Sequence, residues 1–133
     1  MVDVSAVLDS YALIAVTQRQ PGAETVRAAI ETGDARMSWI NLGEVYYVLA
    51  RRLGHDRAQR VVDDALVDAR VEAPDGRLTL TAARLKARGR IAYADCFAVA
   101  TAQRHGAPVL TGDPEIIALA GPDLDIVDLR GAP

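Results

Sequence analysis

The sequence contains a single cysteine, Cys96, and only one residue in twenty is aromatic. Cys96 has no second cysteine with which to form an internal disulfide, which favours a cytoplasmic protein. No apolar run approaches the ~20 residues that a membrane-spanning helix needs. The opening residues MVDVSAVLDS carry no basic segment of the kind that begins a signal peptide. We therefore expect a cytoplasmic protein that does not enter a membrane.

Lysine is almost absent, since Lys86 is the only one among 15 basic residues, and the net charge is −3. Proteins that bind nucleic acid usually carry an excess of basic residues, so composition argues mildly against that role unless the charges are segregated. One segregated group exists: Arg77, Arg84 and Arg88 share a predicted helix face, close to Lys86 and Arg90. This basic cluster is either a solvated face or a surface that contacts phosphate.

Half of the residues are hydrophobic, and a length of 133 residues suits one domain, residues 1–133, with a core of small aliphatic side chains. Short apolar runs alternate with stretches of helical periodicity. This alternation predicts an α/β fold, a single parallel sheet with helices on both faces. The predicted strands are residues 2–8, 35–40, 71–73, 107–110 and 124–127.

The predicted helices begin at polar residues that can cap them. Ser10 is the expected N-cap of a helix over residues 11–17. Asn41 is the expected N-cap of the next long helix after residue 40, with Glu44 completing a capping box. Asp113 precedes Pro114, a pair typical of an N-cap followed by proline at the first helical position.

Four acids lie just after a predicted strand or near the start of a helix: Asp9, Glu44, Asp95 and Asp113. Each has an explanation in local structure alone, as a helix cap, a capping-box partner or a complement to a helix dipole. Glu44 even lies opposite the apolar stripe of its helix, which suggests exposure to solvent. In a parallel sheet, however, such positions gather at the carboxyl edge of the strands.

Carboxylates gathered at one edge would raise one another's pKa values, and a bound divalent cation would offset that repulsion. Oxygen ligands without a cluster of histidine or cysteine suit Mg²⁺ or Mn²⁺, not zinc. His55 and His105 have no metal-like spacing to the acids and are expected at the surface. A carboxylate-held cation suits phosphate chemistry, because it activates water and neutralises developing charge.

Three other phosphate chemistries fit less well. A haloacid-dehalogenase-type phosphatase needs a second aspartate two residues after the nucleophile, whereas Asp9 is followed by Ser10 and Tyr11. A receiver domain needs a lysine late in the chain, and Lys86 precedes both later acids. The sequence has no glycine-rich phosphate-binding loop.

Three segments, VLDSYALIA, NLGEVYYVLAR and YADCFAVATAQRHGAPVLTGDPEII, together resemble a PIN domain, most closely the VapC toxins of bacterial toxin–antitoxin pairs. The resemblance runs from Val7 to about Val127, and its last segment is the most specific. It implies a sheet of about five parallel strands with helices on both sides. It also implies an Mg²⁺- or Mn²⁺-dependent endoribonuclease, a VapB-type antitoxin that binds tightly, and a homodimer.

The resemblance assigns roles to individual residues. The family's four motif acids match Asp9, Glu44, Asp95 and Asp113. Asp9 and Asp95 would bind the metal directly, and Asp113 would complete the shell directly or through water. Glu44 would position or deprotonate the attacking water. Its hydroxyl positions match Ser10, beside Asp9, and Thr111, which would orient the site. Some relatives carry a further acid shortly after the third motif, but residues 96–101 contain none, so the number of metal ions stays open.

The leading hypothesis is therefore a ribonuclease toxin that leaves a 5′-phosphate and a 3′-hydroxyl. One alternative is a binding module, in which the acids hold a cation or a partner's arginine without catalysis. Retention of all four acids argues against it. Another alternative is a nuclease for DNA or structured flaps, but 133 residues leave little room for insertions that grip a duplex. The RNA target is not apparent from the sequence.

Overall fold

The computed structural model describes residues 4–133 and contains, within them, five strands and seven helices. The strands are β1 (Val4–Leu8), β2 (Asp34–Ser38), β3 (Arg70–Glu72), β4 (Val109–Thr111) and β5 (Ile126–Asp128). The helices are α1 (Ser10–Thr17), α2 (Ala23–Thr32), α3 (Trp39–Leu53), α4 (His55–Asp68), α5 (Gly76–Arg88), α6 (Tyr93–His105) and α7 (Pro114–Ile117).

All five strands are parallel and lie in the order β3-β2-β1-β4-β5, so the predicted α/β fold with one parallel sheet is confirmed. β1 is central, and the chain builds outward from it in both directions. The order reverses between β1 and β4, where Val7 pairs with Val109 and Leu8 with Leu110. Such a reversal leaves a crevice beyond the carboxyl ends of the two strands, because the connections leave them on opposite faces of the sheet.

Alternate residues of β1 pack on opposite faces of the sheet. Val7 lies in the cluster that includes Phe97 and Val99 of α6, whereas Leu8 lies with Val26 of α2 and Leu129. A third cluster packs α3 and α4 against β2 through its buried Met37. The central strand is therefore covered on both sides, as expected for parallel strands that read as continuous apolar runs.

Helix α6 is buried over most of its length. Every residue from Asp95 to Ala102 is buried, and most are small, which allows the helix to approach the sheet closely. The thiol of Cys96 is buried within this helix and unpaired. Because α6 is fixed so firmly, its first turn holds Asp95 in a defined position at the carboxyl edge.

Two predicted helix starts are wrong. Asp9, not Ser10, caps α1, and its side chain accepts a hydrogen bond from the backbone N–H of Ala12. Ser38, not Asn41, caps α3, and its hydroxyl accepts from the N–H of Ile40 at 3.2 Å. Glu44 therefore lies in the second turn of α3 and is not half of a capping box.

The second strand was predicted to reach residue 40, but it ends at Ser38 and the helix follows without a loop. Trp39 and Ile40 are 43 % and 39 % exposed, so their apolar character does not reflect burial in a strand. The last three strands differ from their predicted bounds by one to two residues at each end, and the first ends at Leu8 as predicted. For the first, residues 2 and 3 of the predicted range lie outside the described residues.

No helix in residues 4–133 combines the length and apolar character required to cross a membrane.

Gly112 allows a close contact between the end of β4 and α1. A Cβ atom at this position would lie 2.2 Å from the ring of Tyr11, far inside van der Waals contact. The ring of Tyr11 therefore packs directly over the backbone that connects Thr111 to Asp113.

We expect Gly112→Ala to displace the ring of Tyr11 and to lower the free energy of unfolding by ~1–3 kcal/mol, the usual cost of overpacking. Gly43→Ala is the matched control, because Gly43 is exposed in α3 with no atom within 4 Å of an added Cβ. That change should stabilise the helix by roughly 0.5–1 kcal/mol. Urea unfolding measures both effects, and equal stability of the two variants would contradict the packing assigned to Tyr11.

Candidate active site

The four acids singled out in the sequence line one open cleft at the carboxyl edge of the sheet. Asp9 follows β1 directly, and Asp113 comes two residues after β4 ends at Thr111. Glu44 reaches the cleft from α3, and Asp95 from the first turn of α6. The cleft has a volume of about 620 Å³ and lies at the crevice between β1 and β4.

Asp9 is only 1 % exposed. Its Oδ1 atom accepts a hydrogen bond of 2.8 Å from the N–H of Ala12, which fixes the carboxylate at the start of α1. This cap uses one of the two carboxylate oxygens. The side chain therefore supports the fold and lines the cleft at the same time.

Asp113 is the N-cap of α7, as predicted. Its Oδ1 atom accepts from the N–H of Glu115 at 2.8 Å, and Pro114 occupies the first turn. The backbone N–H of Asp113 donates in turn to the buried hydroxyl of Thr111 at 2.9 Å. Thr111 thus holds the backbone from which Asp113 extends.

Asp95, Asp113 and Glu115 offer carboxylate oxygens that all lie within 4.8 Å of one another. Glu115 was not singled out in the sequence, although it lies two residues after Asp113. One of its oxygens accepts from the N–H of Ala92 at 3.3 Å, which places it beside the segment that leads into α6. Asp9 and Glu44 are outside this close trio but line the same cleft.

Ser10 links the acids of α1 and α3. Its hydroxyl faces two acceptors, a carboxylate oxygen of Glu44 in a short hydrogen bond and the carbonyl oxygen of Asn41 at 3.1 Å. Glu44 is therefore half-buried and turned toward the cleft, contrary to the exposure that its helical position suggested. The side-chain amide of Asn41 donates to the carbonyl of Ala94 at 3.0 Å and so ties α3 to the start of α6.

Burial raises the pKa of Asp9 from 3.8 to about 7. The hydroxyl of Thr111 and the N–H of Ala12 oppose this rise, and the neighbouring carboxylates of Asp113 and Glu44 contribute to it. The pKa of Asp95 is also raised, first by burial and then by its contact with Asp113. The fold thus holds these groups where ionisation is costly without a positive partner.

This donor set fits a divalent cation. All the clustered ligand atoms are carboxylate oxygens, which Mg²⁺ and Mn²⁺ prefer. The histidines lie elsewhere: His55 is exposed beside Tyr46, and the half-buried His105 contacts Glu72 at 2.9 Å. A cation among the acids would supply the positive charge that the raised pKa values of Asp9 and Asp95 indicate is needed.

One basic residue of the cleft was also not predicted. Arg52 lies eight residues after Glu44 in α3, and Val48 lies between them, so the three share a helix face that lines the cleft. This spacing was present in the sequence and could have identified Arg52.

A sequence model of the PIN domain matches residues 6–122 of the chain. No match is found among curated proteins.

Several solved structures share the fold. VapC20 from Mycobacterium tuberculosis, described as a toxin that cleaves the sarcin-ricin loop, is 19 % identical with a TM-score of 0.73, over 91 % of this chain and 99 % of that one. DNA-bound VapBC from Salmonella typhimurium is 18 % identical with a TM-score of 0.74, over 95 % and 98 %. A toxin–antitoxin complex from Klebsiella pneumoniae is 21 % identical with a TM-score of 0.68, over 92 % and 96 %.

The raised pKa of Asp9 predicts a pH-dependent stability in the absence of divalent cations. Because the folded-state pKa of about 7 exceeds the unfolded value of 3.8, folding favours the protonated acid. The resulting stabilisation is present below about pH 4 and is lost as pH rises through 7, a change of up to about 4 kcal/mol. Asp9→Asn removes this titration but keeps an oxygen to cap α1.

In a chelating buffer, we therefore expect Asp9→Asn to be more stable than the wild type at pH 8 and to lose most of that advantage at pH 5. Urea unfolding at the two pH values measures the difference. Asp123→Asn, at an exposed turn, is the control and should follow the wild type at both. An advantage of Asp9→Asn that does not change with pH would contradict the raised pKa.

Proposed function

The chain belongs to the PIN-domain family, and we propose that it is the toxin of a type II toxin–antitoxin pair, a metal-dependent endoribonuclease. The observation that supports this most directly is the convergence of Asp9, Glu44, Asp95 and Asp113 on one open cleft at the strand-order reversal. An open cleft suits a polymeric substrate, because a strand can enter and leave on either side. The proposal treats residues 1–133 as one PIN domain acting in the cytoplasm.

We propose that Asp9, Asp95 and Asp113 hold Mg²⁺ or Mn²⁺, and that Glu115 contributes through its closeness to the last two. When bound, the cation would neutralise charge on the phosphate and lower the pKa of a water molecule. The caps of α1 and α7 fix Asp9 and Asp113 before any ligand arrives. The residues therefore form a preorganised site that loses little freedom on binding.

Glu44 is the proposed general base. Ser10 holds one of its oxygens by a hydrogen bond, and the half-buried carboxylate faces the cleft. It would take a proton from water while the water oxygen bonds to phosphorus. The bond from phosphorus to the 3′ oxygen would break, and that oxygen would receive a proton from solvent. The products would be a 5′-phosphate and a 3′-hydroxyl.

The acidic cleft also suits a protein inhibitor. Clustered carboxylates attract an arginine side chain, which could occupy the place of the cation and exclude the substrate. The similar structures include a toxin–antitoxin complex and VapBC assemblies. We therefore propose a VapB-type antitoxin as the partner of this chain, and a homodimer as its own assembly.

Neutralising one ligand acid should separate folding from catalysis. We expect Asp9→Asn to retain the fold, because the amide oxygen can still cap α1, and to lose at least about a hundredfold of Mg²⁺- or Mn²⁺-dependent cleavage of single-stranded RNA. Expression of the wild-type chain alone should arrest bacterial growth, and expression of Asp9→Asn should not. Asp123→Asn should behave as the wild type in both tests.

Each alternative gives its own result. Cleavage that persists in Asp9→Asn and in chelator would contradict the assigned site. Binding of Mn²⁺ without cleavage of RNA or DNA would indicate a non-catalytic module. Cleavage of duplex or flap DNA in preference to RNA would indicate a DNA nuclease. Normal growth with soluble wild-type protein present would oppose the toxin assignment.

Glu115→Gln tests the residue that the sequence did not reveal. Because its carboxylate lies within 4.8 Å of those of Asp95 and Asp113, we expect weaker Mn²⁺ binding by roughly tenfold, with cleavage largely restored at saturating Mn²⁺. Titration calorimetry measures the affinity. Glu24→Gln, exposed in the first turn of α2, is the control. An unchanged Mn²⁺ affinity in Glu115→Gln would remove this residue from the site.

A further inference from the structure

A second depression, of about 310 Å³, adjoins the acidic cleft. We call it the α5–α7 pocket, since its walls come from the end of α5, the segment before α6 and the end of α7. Its apolar walls are formed by Leu85, Ile91 and Leu119. Leu119 is 39 % exposed and therefore presents an accessible apolar surface.

Glu115 lines both the α5–α7 pocket and the acidic cleft. The two spaces also meet along the backbone, because Ile91 lines the pocket and the next residue, Ala92, lines the cleft. The N–H of Ala92 donates to Glu115, so the boundary between the two spaces is held by a hydrogen bond. The cleft and the pocket are therefore neighbours on either side of this boundary.

Two arginines, Arg88 and Arg90, lie at the α5–α7 pocket, and both are exposed. Among residues 4–133 neither forms an ion pair. Other arginines are paired, such as Arg104 with Asp75 at 2.8 Å. Unpaired positive charge thus stands next to an acidic cleft in a chain whose net charge is −3.

We propose that the α5–α7 pocket receives an unstacked base of the RNA, from a nucleotide next to the phosphodiester in the cleft, while Arg88 and Arg90 contact the flanking phosphates. This inference rests on the proposed ribonuclease function and adds a specificity site to it. Single-stranded RNA is recognised largely through splayed bases, with basic residues on the backbone. An extruded base can also lie between apolar side chains.

The charges favour RNA over a protein in this pocket. The arginine of a protein inhibitor would complement the carboxylates of the cleft, but Arg88 and Arg90 at the pocket offer such an arginine no partner. An RNA strand instead carries negative phosphates on either side of each base, and these complement the two arginines. Contact with phosphates thus gives a role to Arg88 and Arg90, at one end of the basic cluster. Arg77, at the opposite end of α5, lies outside the pocket.

The test uses a labelled RNA decamer that spans a cleavage position mapped with the wild-type protein. Binding is measured by fluorescence anisotropy in the Asp9→Asn background with Mg²⁺, so that hydrolysis does not interfere. Leu119→Glu places a negative charge in the pocket, and Leu80→Glu, at the 58 % exposed Leu80 of α5, is its control. Arg88→Ala and Arg90→Ala are compared with Arg77→Ala.

We expect Leu119→Glu to weaken binding about tenfold or more, because it replaces an apolar wall with a negative charge beside the negatively charged strand, and Leu80→Glu to have little effect. Decamers with one abasic nucleotide at each position should then identify a single base beside the cleavage position. Its loss should weaken binding to the parent protein but not to Leu119→Glu, because the two changes remove the same contact.

The outcomes separate this inference from the proposed function. Efficient cleavage, with Leu119→Glu and Leu80→Glu binding the decamer equally well, would overturn the base pocket and leave the ribonuclease intact. A loss of self-association in Leu119→Glu, with RNA binding unchanged, would assign the pocket to a protein contact and overturn the inference. Absence of both RNA cleavage and RNA binding in the wild type would overturn the function and the pocket together.

Discussion

The electrostatic cost of placing carboxylates together at the end of the central strand governs this structure. Asp9 is almost fully buried there, and burial raises its pKa to about 7. Asp95 lies in the same crevice, where burial and then the contact with Asp113 raise its pKa. The rest of the fold must hold these groups against that repulsion. It does so through a central strand covered on both faces and through a helix, α6, that is buried along most of its length.

Helix capping supplies much of this restraint. Asp9 and Asp113 each use one oxygen to cap a helix, so the backbone that needs the cap also orients the carboxylate. Both side chains therefore contribute to stability through one oxygen, while at the buried Asp9, with its raised pKa, ionisation opposes stability. A substitution that removes the capping oxygen would change both the helix cap and the ionisation. Replacement by asparagine removes the ionisable group and keeps an oxygen for the cap. Asp9 and Asp113 can each cap a helix and line the charged cleft at the same time, because a carboxylate has two oxygens.

The sheet and most helices followed from periodicity, because strands with two covered faces are continuous apolar runs and their helices carry apolar stripes. The predicted element bounds were wrong where the local sequence pattern fits both the end of a strand and the start of a helix. Trp39 and Ile40 look like the end of a strand, but Ser38 caps a helix that begins at once. The contact between Ser10 and Glu44 joins residues 34 positions apart, so spacing in the sequence could not reveal it. The closeness of Glu115 to Asp95 likewise exists only in the folded chain.

The net charge of −3 gives a misleading view of what the surface can bind, because acidic and basic residues occupy different parts of it. Glu44, Val48 and Arg52 share a face of α3 that lines the cleft, so this wall of the cleft carries both an acid and an arginine. On the side marked by Glu115, the α5–α7 pocket presents Arg88 and Arg90. The acids that oppose a polyanion share the cleft with Arg52 and adjoin the pocket of Arg88 and Arg90, and they are the groups whose repulsion a divalent cation would offset. A bound cation would therefore make the acidic cleft attract a phosphate instead of repelling it. The arginines nearby already attract phosphate without a cation.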